Sequence, residues 1–446
     1  MILPDSFIGE LETVLGDDTE KYLNEFNKMP YRGISVNHLK TDPDTLLPLL
    51  PFAAEPSPFY SSGYYIPPGT EGIGALALHH AGAFYVQEPS ASCAAELLDP
   101  RPGDRVLDLC AAPGGKSAQL ASLLGGSGLI WSNEPIKSRA RILLSNSERM
   151  GIAAGVVSSC YPEVLCPELE GCFDRVLVDA PCSGEGMFRK NNEAVSQWSR
   201  EQVLSCAERQ LSILKNAVLA LREGGVLVYS TCTFSPEENE MTVEKLLEEC
   251  PQLEPYDLEI SFGRPTAYKN AVRITPMEGG EGHFAARFRK KGNAVPNDLP
   301  RGRFTPPSRE QKKLIDGFLN DIFVRVPDYV PEVMGSSVFL RPSGLEGLKA
   351  PGIIRSGIYA GEIVKGRIEP AHSLFTTAEP ADLRRVLHLG CSDPDAGKYL
   401  SGQEIDWGGE KGYTAVAIEG MITGFGKCSG GRLKNKYPKG LREFPE

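Results

Sequence analysis

The chain has 446 residues, 41% of them apolar and 24% charged, with a formal net charge of -11. That length admits roughly three domains with a large core, and no apolar run approaches the ~20 residues that a bilayer-spanning helix requires. The start, MILPDSFIGELETVLGDD, is acidic where a signal peptide is basic, and the 11 cysteines show no repeated CxxC pairs. The expectation is therefore a cytoplasmic protein with reduced thiols, no disulfide framework, no metal site and no membrane association.

Residues 1–75 are rich in proline, and RGISVNHLK (32–40) alternates like a strand, so a small N-terminal part of mixed α+β character is expected. From about 104 to 231 one pattern recurs, a short apolar run followed by a helix-compatible stretch. The runs are RVLDL (105–109), LIWSN (129–133), GVVSS (155–159), DRVLVD (174–179) and GVLVYST (225–231). Between them, Lys116 to Leu124, Ile136 to Met150 and Glu201 to Leu221 carry apolar residues at helical spacing. Strands alternating with helices predict a parallel sheet with right-handed crossovers, whose ligands lie outside the carboxyl ends of the strands. The α/β domain is placed at 76–290. A basic, proline-bearing stretch at 291–313 reads as a linker. The blocks GIIRSGIYAGEIVKGRIEP and GYTAVAIEGMITGFGKCSGG predict a β-rich C-terminal domain over 314–446.

The first strand runs into DLCAAPGGKSAQL, a loop of small residues that opens a helix. Small residues admit a ligand close to the backbone, and the helix N-terminus offers unpaired N–H groups. Cys110 stands where a Walker A loop needs glycine, and GxGxxG is absent, so neither phosphate motif fits. A ligand combining an amino acid with a nucleoside remains, and S-adenosylmethionine is of that kind. Glu134, at the end of the second strand, sits where an acidic residue takes a pair of ribose hydroxyls.

Two further strand ends deliver thiols, Cys182 in DAPCSGEG and Cys232 in YSTCTFSPEENE. Sheet topology brings both to one crevice. Cys93, Cys166, Cys172, Cys206, Cys250, Cys391 and Cys428 have no motif around them and read as small apolar residues. His79 and His80 lack a metal-ligand partner at helical spacing and read as structural or surface-facing, not as zinc ligands.

In this order and spacing, DLCAAPGGKSAQLA, NEPIKSRARILLSNSERMGI, DRVLVDAPCSGEGMFRK and YSTCTFSPEENE resemble the RNA (cytosine-5) methyltransferases of the Sun, or Fmu, family. HHAGAFYVQEPSA ahead of the sheet extends the resemblance. GEIVKGRIEPAHSL and LKNKYPKGLR look like the tail of the bacterial subgroup that acts on small-subunit ribosomal RNA. The resemblance implies a Rossmann-like S-adenosylmethionine-dependent methyltransferase sheet, a small N-terminal RNA-binding part and a C-terminal domain similar to PUA modules. It implies that Cys110, Ala111, Ala112, Pro113, Gly114, Gly115 and Lys116 line the methionine end of the cofactor, that Glu134 holds the ribose and that Arg139 supports it. Asp179 then lies near both methyl donor and cytosine. Relatives place an Asp after the third strand to contact adenine, whereas this chain has SSCYPE with Cys160 at the equivalent place.

The implied chemistry explains the thiols. Carbon 5 of cytosine is a poor nucleophile until a thiolate adds to carbon 6. A free thiol titrates near 8.5, so the attacking one needs help from its surroundings. By resemblance Cys232 is the nucleophile and Cys182 assists breakdown of the adduct; on chemistry alone the reverse assignment, as in DNA cytosine methyltransferases, stays open. The expected partner is RNA, most directly 16S ribosomal RNA, with transfer RNA and a non-catalytic assembly factor as alternatives, and the expected state is a monomer. Net charge does not oppose this, because phosphate contacts are local. Lys427, Lys434, Lys436 and Lys439 cluster near the end with Tyr437 interleaved for stacking, and Arg32 and Lys190 are further RNA candidates.

Overall fold

The computed structural model describes residues 3–304 and 306–442. Two helices, α1 (Asp5–Leu15) and α2 (Thr19–Glu25), precede a four-stranded antiparallel sheet that contains β1 (Arg32–Val36), β2 (Gly63–Ile66) and β3 (Phe84–Gln87). The last of these strands lies past residue 75, so the N-terminal sheet closes on the segment HHAGAFYVQ that leads into the α/β part. The helices use their apolar stripe against the catalytic body: the Phe7 ring packs edge-on to Phe188 and Trp198, and Tyr22 to Phe234.

The α/β pattern folds as its periodicity predicts. β4 (Arg105–Asp108), α3 (Gly115–Leu123), β5 (Leu129–Asn133), α4 (Lys137–Arg149), β6 (Gly155–Ser158), β7 (Phe173–Asp179), α5 (Arg200–Ala220) and β8 (Leu221–Thr231) follow in chain order. The middles of the strands are apolar and buried, Ile130 and Trp131 on β5, Val156 and Val157 on β6, Val176 to Val178 on β7 and Val226 to Tyr229 on β8, as strands covered by helices on both faces must be. The parallel strands lie in the order β8, β7, β4, β5, β6, and β4 sits at the switch in strand order where crevices form. Antiparallel β9 (Ala271–Ile274) and β10 (His283–Lys290) extend the sheet beyond β8.

Beyond β10, a capping box between Ser308 and Gln311 starts α6 (Arg309–Ile322). Residues 309–313, read as linker, are thus the first turn of a helix with apolar residues Ile315, Leu319 and Ile322 buried. The C-terminal part then does something the local pattern does not reveal. Its strand β11 (Ile353–Ser356) leaves its own domain and pairs antiparallel with β6, becoming the outer strand of the ten-stranded catalytic sheet. The Ser159 amide donates to the Gly352 carbonyl at 2.8 Å, tying this strand to the loop after β6.

The remaining C-terminal strands include β12 (Gly412–Ile418), β13 (Met421–Ser429) and β14 (Arg432–Asn435) in a five-stranded sheet. That sheet shares one buried cluster with the N-terminal sheet, where Ile34, Val36 and Phe84 meet Val416, Ile418 and Leu433. Lys40 crosses the same junction, its ammonium donating to the carbonyls of Thr376 and Ile422, and burial holds its pKa down to about 8. Tyr437 is drawn into this seam. It is 1% exposed and its hydroxyl meets His80 Nδ1 at 2.8 Å, so it is not the stacking platform expected from the sequence.

Gly352 is left-handed (φ 70°), and a Cβ there would lie 2.4 Å from the Ser159 carbonyl oxygen and 2.8 Å from Cys160 Cβ. Gly352→Val is expected to destabilise the protein by about 2–4 kcal/mol in urea denaturation, through backbone strain and overpacking together. A midpoint within error of wild type would show that β11 does not hold the sheet edge.

Candidate active site

The carboxyl ends of β4, β5, β7 and β8 open into a cleft of about 740 Å³ lined by Cys110, Ala112, Glu134, Arg139, Asp179, Cys182 and Cys232, among others. That volume lies within the range of a cofactor or substrate pocket. The loop after β4 is shaped by its neighbours. The Ala111 amide donates to the Asn133 carbonyl at 2.8 Å, Asn146 Nδ2 to the Pro113 carbonyl at 2.9 Å and Arg139 to the Ala112 carbonyl at 3.2 Å. Gly114 has φ 118°, and a Cβ on Gly115 would come within 3.0 Å of Gln87 Oε1 and of the Tyr85 ring. Only glycine satisfies both the turn and the close packing there.

Glu134 is 2% exposed, and one carboxylate oxygen accepts from the Ile136 amide at 3.0 Å while the other faces Arg139 at 3.3 Å. Its orientation at the cleft wall is therefore set before any ligand arrives. At the end of β5, Asn133 grips the loop after β6: Nδ2 donates to the Cys160 carbonyl at 2.9 Å and Oδ1 accepts from its amide at 3.2 Å. Cys160 packs inward, and Tyr161, Pro162 and Glu163 line the cleft instead.

At the floor, Asp179 accepts from Lys116 Nζ at 2.7 Å through one oxygen and from Ser230 Oγ at 2.8 Å through the other. Burial pushes the Asp179 carboxyl up, but the Lys116 ammonium outweighs it, so the group lies below its ordinary value. His283, whose Nε2 is 3.9 Å from Asp179, is itself held down to about 4 by burial. It is neutral near pH 7, and the Lys116 charge is what keeps Asp179 ionised there.

Cys182 and Cys232 are free thiols with their Sγ atoms 3.3 Å apart. Of the other cysteines without motifs, Cys93, Cys166, Cys172, Cys206, Cys250 and Cys428 are buried, and Cys391 is half-buried. Cys110 does line the cleft, but burial drives its thiol well above the ordinary value. The Cys182 thiol is raised well above the ordinary range, first by its hydrogen bond to Cys232 and then by burial.

Two carboxylates that sequence reasoning passed over lock the cysteine loops together. Glu185, past Cys182, accepts from the amides of Phe234 and Ser235 at 2.8 and 3.0 Å and from Trp198 Nε1 at 2.9 Å. Glu238, past Cys232, accepts from the Ser183 amide at 3.0 Å and from Gln210 Nε2 at 2.7 Å. The Gly186 amide donates to the Cys232 carbonyl at 2.9 Å, and the hydroxyls of Ser183 and Thr233 meet at 2.7 Å. Each loop thus presents a carboxylate to the backbone of the other. The signal was present as an acidic residue after each cysteine motif, PCSGE and TCTFSPEE, but such residues ordinarily read as solvated turn positions.

The basic candidates fall in two places. Arg32 and Lys190 come together in a second cleft of about 490 Å³ between the N-terminal sheet and the catalytic domain, with Gln87 and Glu88. Lys427 on β13 is directly opposite Lys434 on β14 and Tyr413 on β12, so the three form a row across the sheet, with Lys427 Nζ 4.9 Å from the Tyr413 ring centre. Lys436 and Lys439 are exposed beyond it. Tyr413, not Tyr437, is the aromatic of this face. Lys290 caps α5 by donating to the carbonyls of Val218 and Leu221 at 2.9 and 2.7 Å.

A parallel sheet with a small-residue loop after its first strand and an acidic side chain closing its second defines an S-adenosylmethionine-dependent methyltransferase. Residues 95–289 match the family described as 16S rRNA methyltransferase RsmB/F, residues 3–89 the N-terminal domain of 16S rRNA methyltransferase RsmF, and residues 386–443 the methyltransferase RsmF PUA domain. Ribosomal RNA small subunit methyltransferase F of Vibrio vulnificus is 31% identical over 474 residues, covering 98% of this chain and 97% of its own. The protein so named from Erwinia tasmaniensis is 31% identical over 468 residues, covering 99% and 97%. Among solved structures, a methyltransferase homolog from Pyrococcus horikoshii has a TM-score of 0.56 at 28% identity, covering 65% of this chain and 100% of that one. NSun6 from the same organism, solved with SFG, has a TM-score of 0.59 at 21% identity over 65% and 99%, which shows the fold. The chain belongs to the 16S rRNA methyltransferase RsmB/F family.

Replacing Glu185 by Ala leaves two buried amides and an indole N–H without acceptors, each worth about 1–3 kcal/mol. Glu185→Ala is expected to lose about 3–5 kcal/mol of stability by urea denaturation, with early hydrogen exchange at 232–236. Wild-type protection of that loop would contradict the role assigned to the carboxylate.

Proposed function

We propose that the protein methylates carbon 5 of a cytosine in small-subunit ribosomal RNA through a covalent bond from Cys232 to carbon 6. The observation that carries this is the pair of thiols 3.3 Å apart in the same cleft as the glycine-bearing loop and Asp179. The residues fit S-adenosylmethionine: the small-residue loop puts Cys110 and Ala112 on the cleft wall and runs into the N-terminus of α3 with Lys116 in its first turn, and Glu134 is already oriented for ribose hydroxyls. When bound there, the cofactor supplies a methyl group on a positively charged sulfur.

The chain's own groups do the rest. The Cys232 thiolate adds to carbon 6 and makes carbon 5 electron-rich. Asp179, kept ionised by Lys116, accepts a hydrogen bond from the exocyclic amine and so fixes the ring edge over the thiol. After transfer, carbon 5 loses its proton to water and the bond to Cys232 breaks, restoring the ring. The Cys182 thiol, 3.3 Å from the Cys232 sulfur, is placed to donate to the departing thiolate and so stabilise it. An extruded base costs a few kcal/mol, offset by contacts elsewhere on the RNA. We assign those contacts to Arg32 and Lys190 beside the catalytic domain and to Lys427, Lys434, Lys436 and Lys439 on the C-terminal sheet.

Incubating wild type, Cys182→Ala and Cys232→Ala with small-subunit RNA and labelled cofactor, followed by denaturing gels, tests the assignment. A protein–RNA adduct is expected to accumulate in Cys182→Ala and to be absent in Cys232→Ala. The opposite pattern would make Cys182 the nucleophile. For the basic row, Lys434→Glu with Lys436→Glu is expected to weaken RNA binding at least ~10-fold and to flatten its salt dependence, measured by filter binding across salt concentrations. Unchanged affinity would remove that face from the RNA path.

A further inference from the structure

Glu238 is fully buried, yet only one of its carboxylate oxygens is used. Oε2 accepts from the Ser183 amide and from Gln210, while Oε1 has no hydrogen-bond partner among the described residues. A buried carboxylate held by backbone on one side and left bare on the other exerts its charge on whatever lies beside it. Cys182, one residue before the Ser183 amide that Glu238 holds, lies beside it together with Cys206 and Tyr229, and each of the three is pushed up by the Glu238 charge. The groups facing Glu238 are known from each packed element. Cys182 and Ser183 come from the loop after β7, Glu185 from the turn that follows, Cys206 and Gln210 from α5 with Arg209 at the cleft rim, and Tyr229 from β8. Within this set Glu238 has no cation bound to it, so its field is not neutralised locally.

We propose that Glu238 is a positioning residue that keeps Cys182 protonated, so that Cys182 serves as hydrogen-bond donor to the departing Cys232 sulfur and not as a second thiolate. The idea rests on the division of labour between the two thiols given above. It answers a chemical difficulty in that division, because two thiols in contact otherwise compete to ionise. The loss of either proton places negative charge beside the other. A fixed negative charge on the Cys182 side breaks the tie and leaves ionisation to Cys232.

The sign follows from the carboxyl's own titration. Burial raises Glu238 from 4.5 to about 7, so it is neutral in acid and charged above about pH 7. Its opposition to a Cys182 thiolate is therefore present in the alkaline range, where thiols ionise. Glu238→Gln keeps an oxygen for the Ser183 amide but removes the charge at every pH, and Glu238→Asp keeps the charge.

The experiment is alkylation of the folded enzyme with iodoacetamide from pH 6 to 10, with Cys182 and Cys232 followed separately by peptide mass spectrometry. In Glu238→Gln, Cys182 is expected to react about 10-fold faster at pH 8.5 than in wild type, equivalent to a thiol pKa lower by about one unit, and Glu238→Asp to stay near wild type. An unchanged Cys182 profile in Glu238→Gln would overturn the proposal. Should that variant not fold, wild type carrying ¹³Cβ-labelled cysteine decides it. The Cys182 resonance, assigned with Cys182→Ser, is expected to step near pH 7 as Glu238 ionises, and a flat line through that range would reject the coupling. Adduct gels at pH 8.5 separate this from the division of labour itself. Faster Cys182 alkylation without adduct accumulation supports Glu238's effect on the thiol while removing Cys182 from product release.

Discussion

Parallel pairing of β7 with β8 places Asp179 opposite Ser230, and every reactive group in the cleft takes its position from that register. Cys182 follows three residues after Asp179 and Cys232 two after Ser230, so the two thiols meet only if the strands end level. A one-residue slip would turn alternate side chains to the other face of the sheet and carry Asp179 away from both Lys116 and Ser230. The register is enforced from below by Val176, Leu177 and Val178 packed against Leu227, Val228 and Tyr229, all buried. It is enforced from above by the paired carboxylates of Glu185 and Glu238. The chemistry thus rests on an apolar core that fixes the height of the strand ends and a polar clasp that fixes the loops beyond them.

The clasp also shows how a buried polar network is made affordable. Glu185 takes three donors and leaves none of them orphaned, so its carboxylate substitutes for water around backbone amides that strand ends cannot pair. Trp198, one of those donors, lies against Phe7 of α1. The N-terminal helices therefore pack behind the cysteine loops, while the N-terminal sheet packs Tyr85 and Gln87 against Gly115 at the start of α3. The N-terminal part, expected from the sequence to bind RNA, also packs against the loops that carry the catalytic cleft.

How far the sequence foretold this differs by interaction range. The five parallel strands and three helices of the catalytic core were legible because apolar periodicity is local, and each lies within a few residues of its expected place. The Lys116–Asp179 contact was not foretold, since it joins the first turn of α3 to the last residue of β7 across the switch in strand order. Glu185 and Glu238 were not legible, because their value depends on loops brought together from residues 50 apart. Tyr437 was misread for a related reason. Its basic neighbours suggested an exposed face, but a turn after β14 sends the ring inward to His80, and Tyr413, distant in sequence, takes the place beside Lys427. Nothing in the GIIRS segment distinguishes a strand that stays in its own domain from one that joins another's sheet.

That borrowed strand has a consequence for how the chain must be made. Until residues 353–356 have emerged and docked, β6 is the outermost strand of a buried, apolar parallel sheet, with one row of amides and carbonyls unmatched. Such an edge is a template for any extended peptide nearby, including the same segment of another molecule. During synthesis the catalytic domain is complete in sequence well before its border is closed, so nascent or truncated chains ending short of β11 carry a site for aberrant association or strand exchange. The C-terminal domain is in this respect an internal chaperone for the fold that precedes it, supplying the last rung of a sheet it does not otherwise belong to.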